Sequence, residues 1–220
     1  MPLSTVLGAQ SLIKPGVCTT ATRPASPYTG QMIYDTTVSQ ALVWNGTAWA
    51  NVGATAGGLV PITAETSFSA TTGVTVSDVF TSTYSNYLLT VITTINGAGT
   101  VELQFSVGGT ATATGYNYEQ LAVTATTVVS NRQTSKTSGH ILRTSNGTYT
   151  QVTKVDIYNP QVSDITMYQA TALNQQSAAT SYIQQIFGNQ QATTQFDGFK
   201  LLSANNITGT YQLYGYNKTV

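Results

Sequence analysis

The sequence predicts an all-β chain: an extended N-terminal arm with a small three-stranded element, then a C-terminal jelly-roll-like β-sandwich. Three observations predict it. Thr, a β-branched residue that packs well on a pleated surface, occurs about forty times. Charged residues make up 7% of the 220 residues, against about 25% in an average soluble protein. Alternating apolar and polar runs recur between turn dipeptides, with no sustained helical period.

Taken in order, residues 1–27 lack clean periodicity, and Pro15, Pro24 and Pro27 disfavour helix, so an extended arm is expected. Gln31 to Tyr34 reads as a strand, Asp35 to Gln40 as a turn and Ala41 to Trp44 as a second strand. Asn45-Gly46 is a strong hairpin signal, because a type I′ turn needs positive φ at both positions, and Thr47 to Ala50 returns as the third strand. Three such short strands cannot bury two Trp residues alone and call for a partner surface. The expected organisation is arm and docking element over 1–52, a Gly-rich linker over 53–61 and a sandwich over 62–220.

Within the sandwich, Tyr87 to Ile92 is apolar on both faces, as in a strand covered on both sides. Val101, Leu103, Phe105 and Val107 alternate with Glu102, Gln104 and Ser106, as in a half-buried strand. Val152 to Tyr158, Ile165 to Ala170, Phe196 to Leu202 and Tyr211 to Tyr216 complete the set. Turn signals stand at Asn96-Gly97, Gly108-Gly109, Asn146-Gly147, Asn159-Pro160 and Asn205-Asn206. Ala111 to Gly139 has few large apolar residues and reads as a long exposed loop.

Charge bounds the function. Eight basic residues balance eight acidic ones and none of the basic residues adjoins another, which argues against a nucleic-acid partner. A neutral chain also lacks the self-repulsion that keeps subunits apart, as suits a protein docked to others. Cys18 stands alone, so no intrachain disulfide forms and folding in a reducing cytoplasm is expected. Met1 to Lys14 lacks the pattern of a secretory leader, and no run approaches the roughly twenty apolar residues of a membrane helix.

No enzyme, cofactor or metal site is predicted. His140 is the single histidine and falls where a solvated loop is expected, with no grouped acid or nucleophile in the sequence. Glu102, Glu119, Asp156 and Asp164 keep a two-carboxylate glycosidase open by count, although each sits where a turn or an outward strand position would place an acid. One Cys and one His cannot build a closed zinc site, and a Ca²⁺ site has no diagnostic spacing here. Tyr34, Trp44 and Trp49 are the candidate docking residues, with sugar stacking the second reading for the Trp pair. Tyr116 and Tyr118, beside the polar stretch, are the candidate exposed binding surface, although a core edge suits them as well.

Two segments carry a resemblance. Arg23-Pro24-Ala25-Ser26-Pro27-Tyr28-Thr29-Gly30-Gln31-Met32-Ile33-Tyr34, followed by Leu42-Val43-Trp44-Asn45-Gly46-Thr47-Ala48-Trp49, resembles a module near the start of many phage tail-fibre and other virion-surface proteins. Residues 84–218 are similar to a phage β-sandwich module. Its landmarks are Tyr84 to Leu89, Val101 to Phe105 with Gly115 to Tyr118, Val155 to Tyr158, and Phe199 to Leu201 running to Gly209 to Tyr216. Thr93-Thr94 depart from such modules, which often carry Arg there, so no charged contact is carried over to that place.

The resemblance implies a non-enzymatic virion protein, made in the bacterial cytoplasm and assembled as a homo-oligomer, commonly a trimer, with other virion proteins. A tail fibre or fibre-like receptor-binding or adaptor subunit, with host surface glycan a candidate ligand, stands beside a head decoration protein. A glycan-degrading or carbohydrate-binding protein is the reading from another class.

Overall fold

The computed structural model describes residues 15–52, 58–124, 126–144, 147–177 and 180–218. The chain is all-β and divides into two compact units, 1–57 and 58–220.

The first unit is a sheet of β1 (Gly16–Cys18), β2 (Met32–Asp35), β3 (Gln40–Trp44) and β4 (Trp49–Asn51), in that order. It has four strands, not three. The segment after Pro15, read as arm, pairs parallel with β2 from Gly16↔Ile33 to Cys18↔Asp35, because Pro15 removes a donor only ahead of the ladder. The rest of the expected arm, 1–14, lies outside the described residues. Asn45-Gly46 does turn the chain, but through a four-residue connection between the paired Trp44 and Trp49. Gly46 alone has positive φ, at 103°. Asn45 Oδ1 accepts from the backbone N–H of Thr47 (2.9 Å) and Ala48 (2.8 Å), so its side chain closes the turn.

The second unit contains β5 (Leu59–Pro61), β6 (Thr66–Val76), β7 (Asn86–Ile95), β8 (Gly99–Val107), β9 (Thr110–Ala111), β10 (Tyr116–Thr124), β11 (Thr127–Lys136), β12 (Gly139–Thr144), β13 (Gln151–Tyr158), β14 (Thr166–Ser177), β15 (Thr180–Gln190) and β16 (Gly198–Tyr216). Their order is β11-β10-β15-β14-β13-β7-β16-β8-β12, with β5 and β6 on β16 and β9 on β8. β7 and β8 leave a tight turn at Asn96-Gly97 without pairing together. β7 joins β16 over Ile207–Gly215, and β8 joins it over Gly198–Leu202. β16 therefore forks one sheet into two layers, and β12 lies across β14 and β15.

Five expectations change here. Phe196–Leu202 and Tyr211–Tyr216 belong to one 19-residue strand, beginning at Gly198. The Asn205-Asn206 signal marks a bend within it, where Asn205 Nδ2 donates to the Ala98 carbonyl at 2.7 Å. Ala111–Gly139 is not a loop but contains β10 and β11. β11 is an edge strand exposed along most of both faces, so its ladder with β10 holds it without apolar alternation. Leu59–Pro61, placed in the linker, pairs with β16, Pro61 taking an edge position that needs no donor; residues 53–57 lie outside the described residues. His140, expected in a loop, is in β12.

Between the layers, Phe105 stacks on Phe196 (5.4 Å) and Tyr116 (6.3 Å), and Phe80 lies 4.8 Å from Tyr87 and 6.0 Å from Phe199. Each such pair adds about 0.5–1.5 kcal/mol beyond the area it buries. Tyr87 Oη also accepts from Thr81 N–H (2.7 Å) and donates to Thr81 O (2.8 Å), tying the approach of β7 to its own core.

The fork leaves no room at Gly209, where a Cβ would stand 1.9 Å from Ile92 O and 2.8 Å from Thr93 Cα. Gly209→Ala should cost about 3 kcal/mol through forced backbone displacement. Urea unfolding of the purified variant checks this, and an unchanged midpoint would refute the close approach.

Candidate functional site

In the first unit the sequence positions a buried charge. Asp35 ends β2 with no exposed surface, and Arg23 Nε donates to its Oδ2 at 2.6 Å. Thr20 Oγ1 donates to the same oxygen (2.9 Å), and the backbone N–H of Thr37 donates to Oδ1 (2.8 Å). Burial raises the carboxyl, but the Arg23 guanidinium, the Thr20 hydroxyl and the Thr37 and Val38 amides outweigh it and hold it below its ordinary value. This clasp ties residues 20–23 to the sheet. Its sequence signal was Asp35-Thr36-Thr37, an acid followed by residues whose amides it can cap.

Trp44 and Trp49 face each other across β3 and β4, edge to face at 5.6 Å. They share a face with the buried Ile33 and Leu42, since directly paired residues lie on one side. Tyr34, grouped with them in the sequence reading, points to the opposite face beside Met32, at 38% exposure. The structure thus brings the two indoles together and leaves Tyr34 apart.

In the second unit Tyr116 is not a surface residue. It is fully buried because it begins β10 on the inward face, and its hydroxyl accepts from Phe105 N–H at 2.7 Å. Burial raises its phenol well above the ordinary range. Tyr118, two residues on, is half-buried and meets His140 edge-on at 5.3 Å.

His140 is 4% exposed, and its Nε2 has no hydrogen-bond partner. Burial pushes it down to about 4, against the opposing pull of the Glu102 carboxylate. Ser138, His140 and Glu102 are neighbours, the residue types of a nucleophilic triad. The hydrogen bond, however, runs from Ser138 Oγ to Glu102 Oε2, which leaves no contact between nucleophile and base. Among the described residues, no three His, Cys, Asp or Glu side chains group as metal ligands.

Tyr118 also lines an open groove of about 560 Å³ on the outer face, with Phe187, Met167, Asn117, Asn189 and Gln133. Asn117 Nδ2 donates to Asn189 Oδ1 (3.1 Å), and Asn117 Oδ1 accepts from Ser135 N–H (2.9 Å), so the amide rim is fixed. Glu119 is the one carboxylate among the lining residues, and it lies 3.4 Å from the Arg132 guanidinium. A ring, a thioether and oriented amides suit a neutral polar ligand, whereas the two separated carboxylates of a glycosidase are not among these residues. Of the sequence candidates Tyr118 is among the lining residues, whereas Phe187 and Met167, from β15 and β14, were not candidates.

No protein-family model, curated protein or solved structure matches the chain.

Two titrations follow. Folded His140 stays neutral while the unfolded chain takes up a proton below about pH 6.5, so stability falls by about 2 kcal/mol between pH 7 and pH 5. His140→Gln should flatten that slope in urea titrations. Asp35, held low in the fold, contributes stability above about pH 4 that is lost as pH falls through its lowered value. Trp44 and Trp49 are the only indoles, so tryptophan emission reports this unit alone. Emission should shift to the red in acid for the native chain, and already at neutral pH for Asp35→Asn.

Proposed function

We propose that this chain is a non-enzymatic structural subunit of a bacteriophage particle, a fibre-like attachment or adaptor protein. The segment resembling the virion-surface module lies in a compact unit of its own, where its two Trp residues pair. In this reading that unit docks to other virion proteins and the sandwich is displayed. The single observation that carries attachment is the groove beside Tyr118, whose Phe187, Met167 and amide lining suits a neutral glycan. That recess favours host attachment over clamping of capsid subunits. Weak single sites would serve, because many copies on one particle raise overall avidity by about 10²–10⁴.

Immunogold labelling of purified particles should place the chain on the tail; label on capsid faces, or none on particles, would overturn the assignment. Host-envelope polysaccharide incubated with the protein should gain no new reducing ends, and their appearance would identify an enzyme instead.

A further inference from the structure

Two rows of outward side chains make the floor of the groove. In the first, Met167 (β14) stands directly opposite Asn189 (β15), and Asn189 directly opposite Asn117 (β10). Two positions along, about 6.7 Å away, Phe187 stands opposite Glu119 and Glu119 opposite Arg132. Phe187 and Met167 are half-exposed, so the amide of Asn189 has one apolar neighbour along its own strand and another across the ladder. Between Phe187 and Asn189, Gly188 lies over the inward ring of Tyr168, which leaves no room for a Cβ and fixes the floor from below.

Hydrogen bonding decides which end of that amide is free. The Ser135 N–H can only donate, so the Asn117 atom it meets at 2.9 Å is the oxygen Oδ1. Asn117 therefore turns its Nδ2 to Asn189, and the Asn189 atom that accepts at 3.1 Å is Oδ1. Asn189 Nδ2 is the end left over, with no acceptor among the described residues. The groove thus offers a free amide donor set between a thioether and a ring.

Resting on the groove as a glycan site, we propose that its ligand is an N-acetylated sugar. The acetamido carbonyl accepts from Asn189 Nδ2, the acetyl methyl lies against Met167, and the pyranose ring stacks over Phe187. A sugar hydroxyl could accept at the same place, but it would turn its own proton toward the thioether or the ring and lose a bond to water. A carbonyl oxygen carries lone pairs alone, and the methyl beside it covers apolar surface. Charge points to a neutral substituent as well. Arg132 lies 3.4 Å from Glu119, so the pair offers an acidic sugar no net attraction.

The test titrates the full chain with two neutral trisaccharides that differ only at C2: tri-N-acetylchitotriose, with acetamido groups, and cellotriose, with hydroxyls. In saturation-transfer NMR the acetyl methyl protons should receive magnetisation from the protein, and cellotriose should show a Kd at least about fivefold higher, as loss of one neutral hydrogen bond implies. Asn189→Asp keeps an acceptor for Asn117 Nδ2 but replaces the free donor by a second acceptor, so the two Kd values should converge. Phe187→Ala should weaken both sugars, and thermal unfolding of each variant reports its fold. Equal binding of the two trisaccharides by the native chain overturns the acetamido assignment while the groove stays a glycan site. Retained preference in Asn189→Asp, or undiminished binding in Phe187→Ala, overturns it too. An acetylated peptide unit, N-acetylalanine methylamide, binding as tightly as tri-N-acetylchitotriose makes the ligand a peptide instead. If neither trisaccharide binds, the assignment falls, and retention of the protein on host-envelope polysaccharide decides the glycan reading separately.

Discussion

The second unit depends on one strand serving two layers. β16 keeps β5 and β6 along one side and exchanges β8 for β7 along the other, so the two faces of the sandwich share a backbone at their junction. A strand that changes partners needs a place to bend and a place to approach closely. The bend falls where register slips between Leu202 and Ile207, and the close approach at Gly209. Phe199, Leu201, Tyr211 and Leu213 on this strand are buried, the first two beside β8 and the last two beside β7. Everything else in the core packs between surfaces that this strand sets apart.

The opposite end is closed by amides. β12 has a ladder on one side only, which would leave Arg143 backbone groups on its other side without a strand partner. Gln184 accepts from Arg143 N–H at 3.0 Å through its Oε1, and its Nε2 donates to Arg143 O, as does Asn174 Nδ2. Gln120 Nε2 joins them through Gln184 Oε1 at 3.3 Å. A side-chain amide that donates and accepts can satisfy both groups of a peptide without the cost of burying an ion. The scarcity of charge and the abundance of Gln and Asn thus have a structural use: amides hold one layer to the other.

Much of the fold was legible. Alternation located β13, which buries one face, and β8, although β8 also buries Gln104 and Ser106 that were expected outward; a continuous apolar run located β7, whose outward side is only half covered. What failed did so for definite reasons. β11 is an edge strand that leaves no hydrophobic pattern, and Asn205-Asn206 looks like a turn because a bend and a turn use the same residues. Sites were less legible than strands. Tyr116 and Tyr118 stand two apart on one face of β10, on either side of a register shift against β11; the first is fully buried, and the second is half-buried and borders the groove. Phe187 and Leu173 lie outside the strands read from the sequence, and nothing in a single strand says which of its two faces the rest of the molecule will cover.

Every other strand of the sandwich leaves the ribosome before β16 does. Until it arrives, β6, β7 and β8 lack the partner that joins them, and pairings across roughly ninety residues or more must wait until it has been made. A chain cut short by faulty translation would therefore present open sheet margins to chaperones and proteases instead of a finished subunit. The late strand thus makes closure of the fold conditional on synthesis through Tyr216.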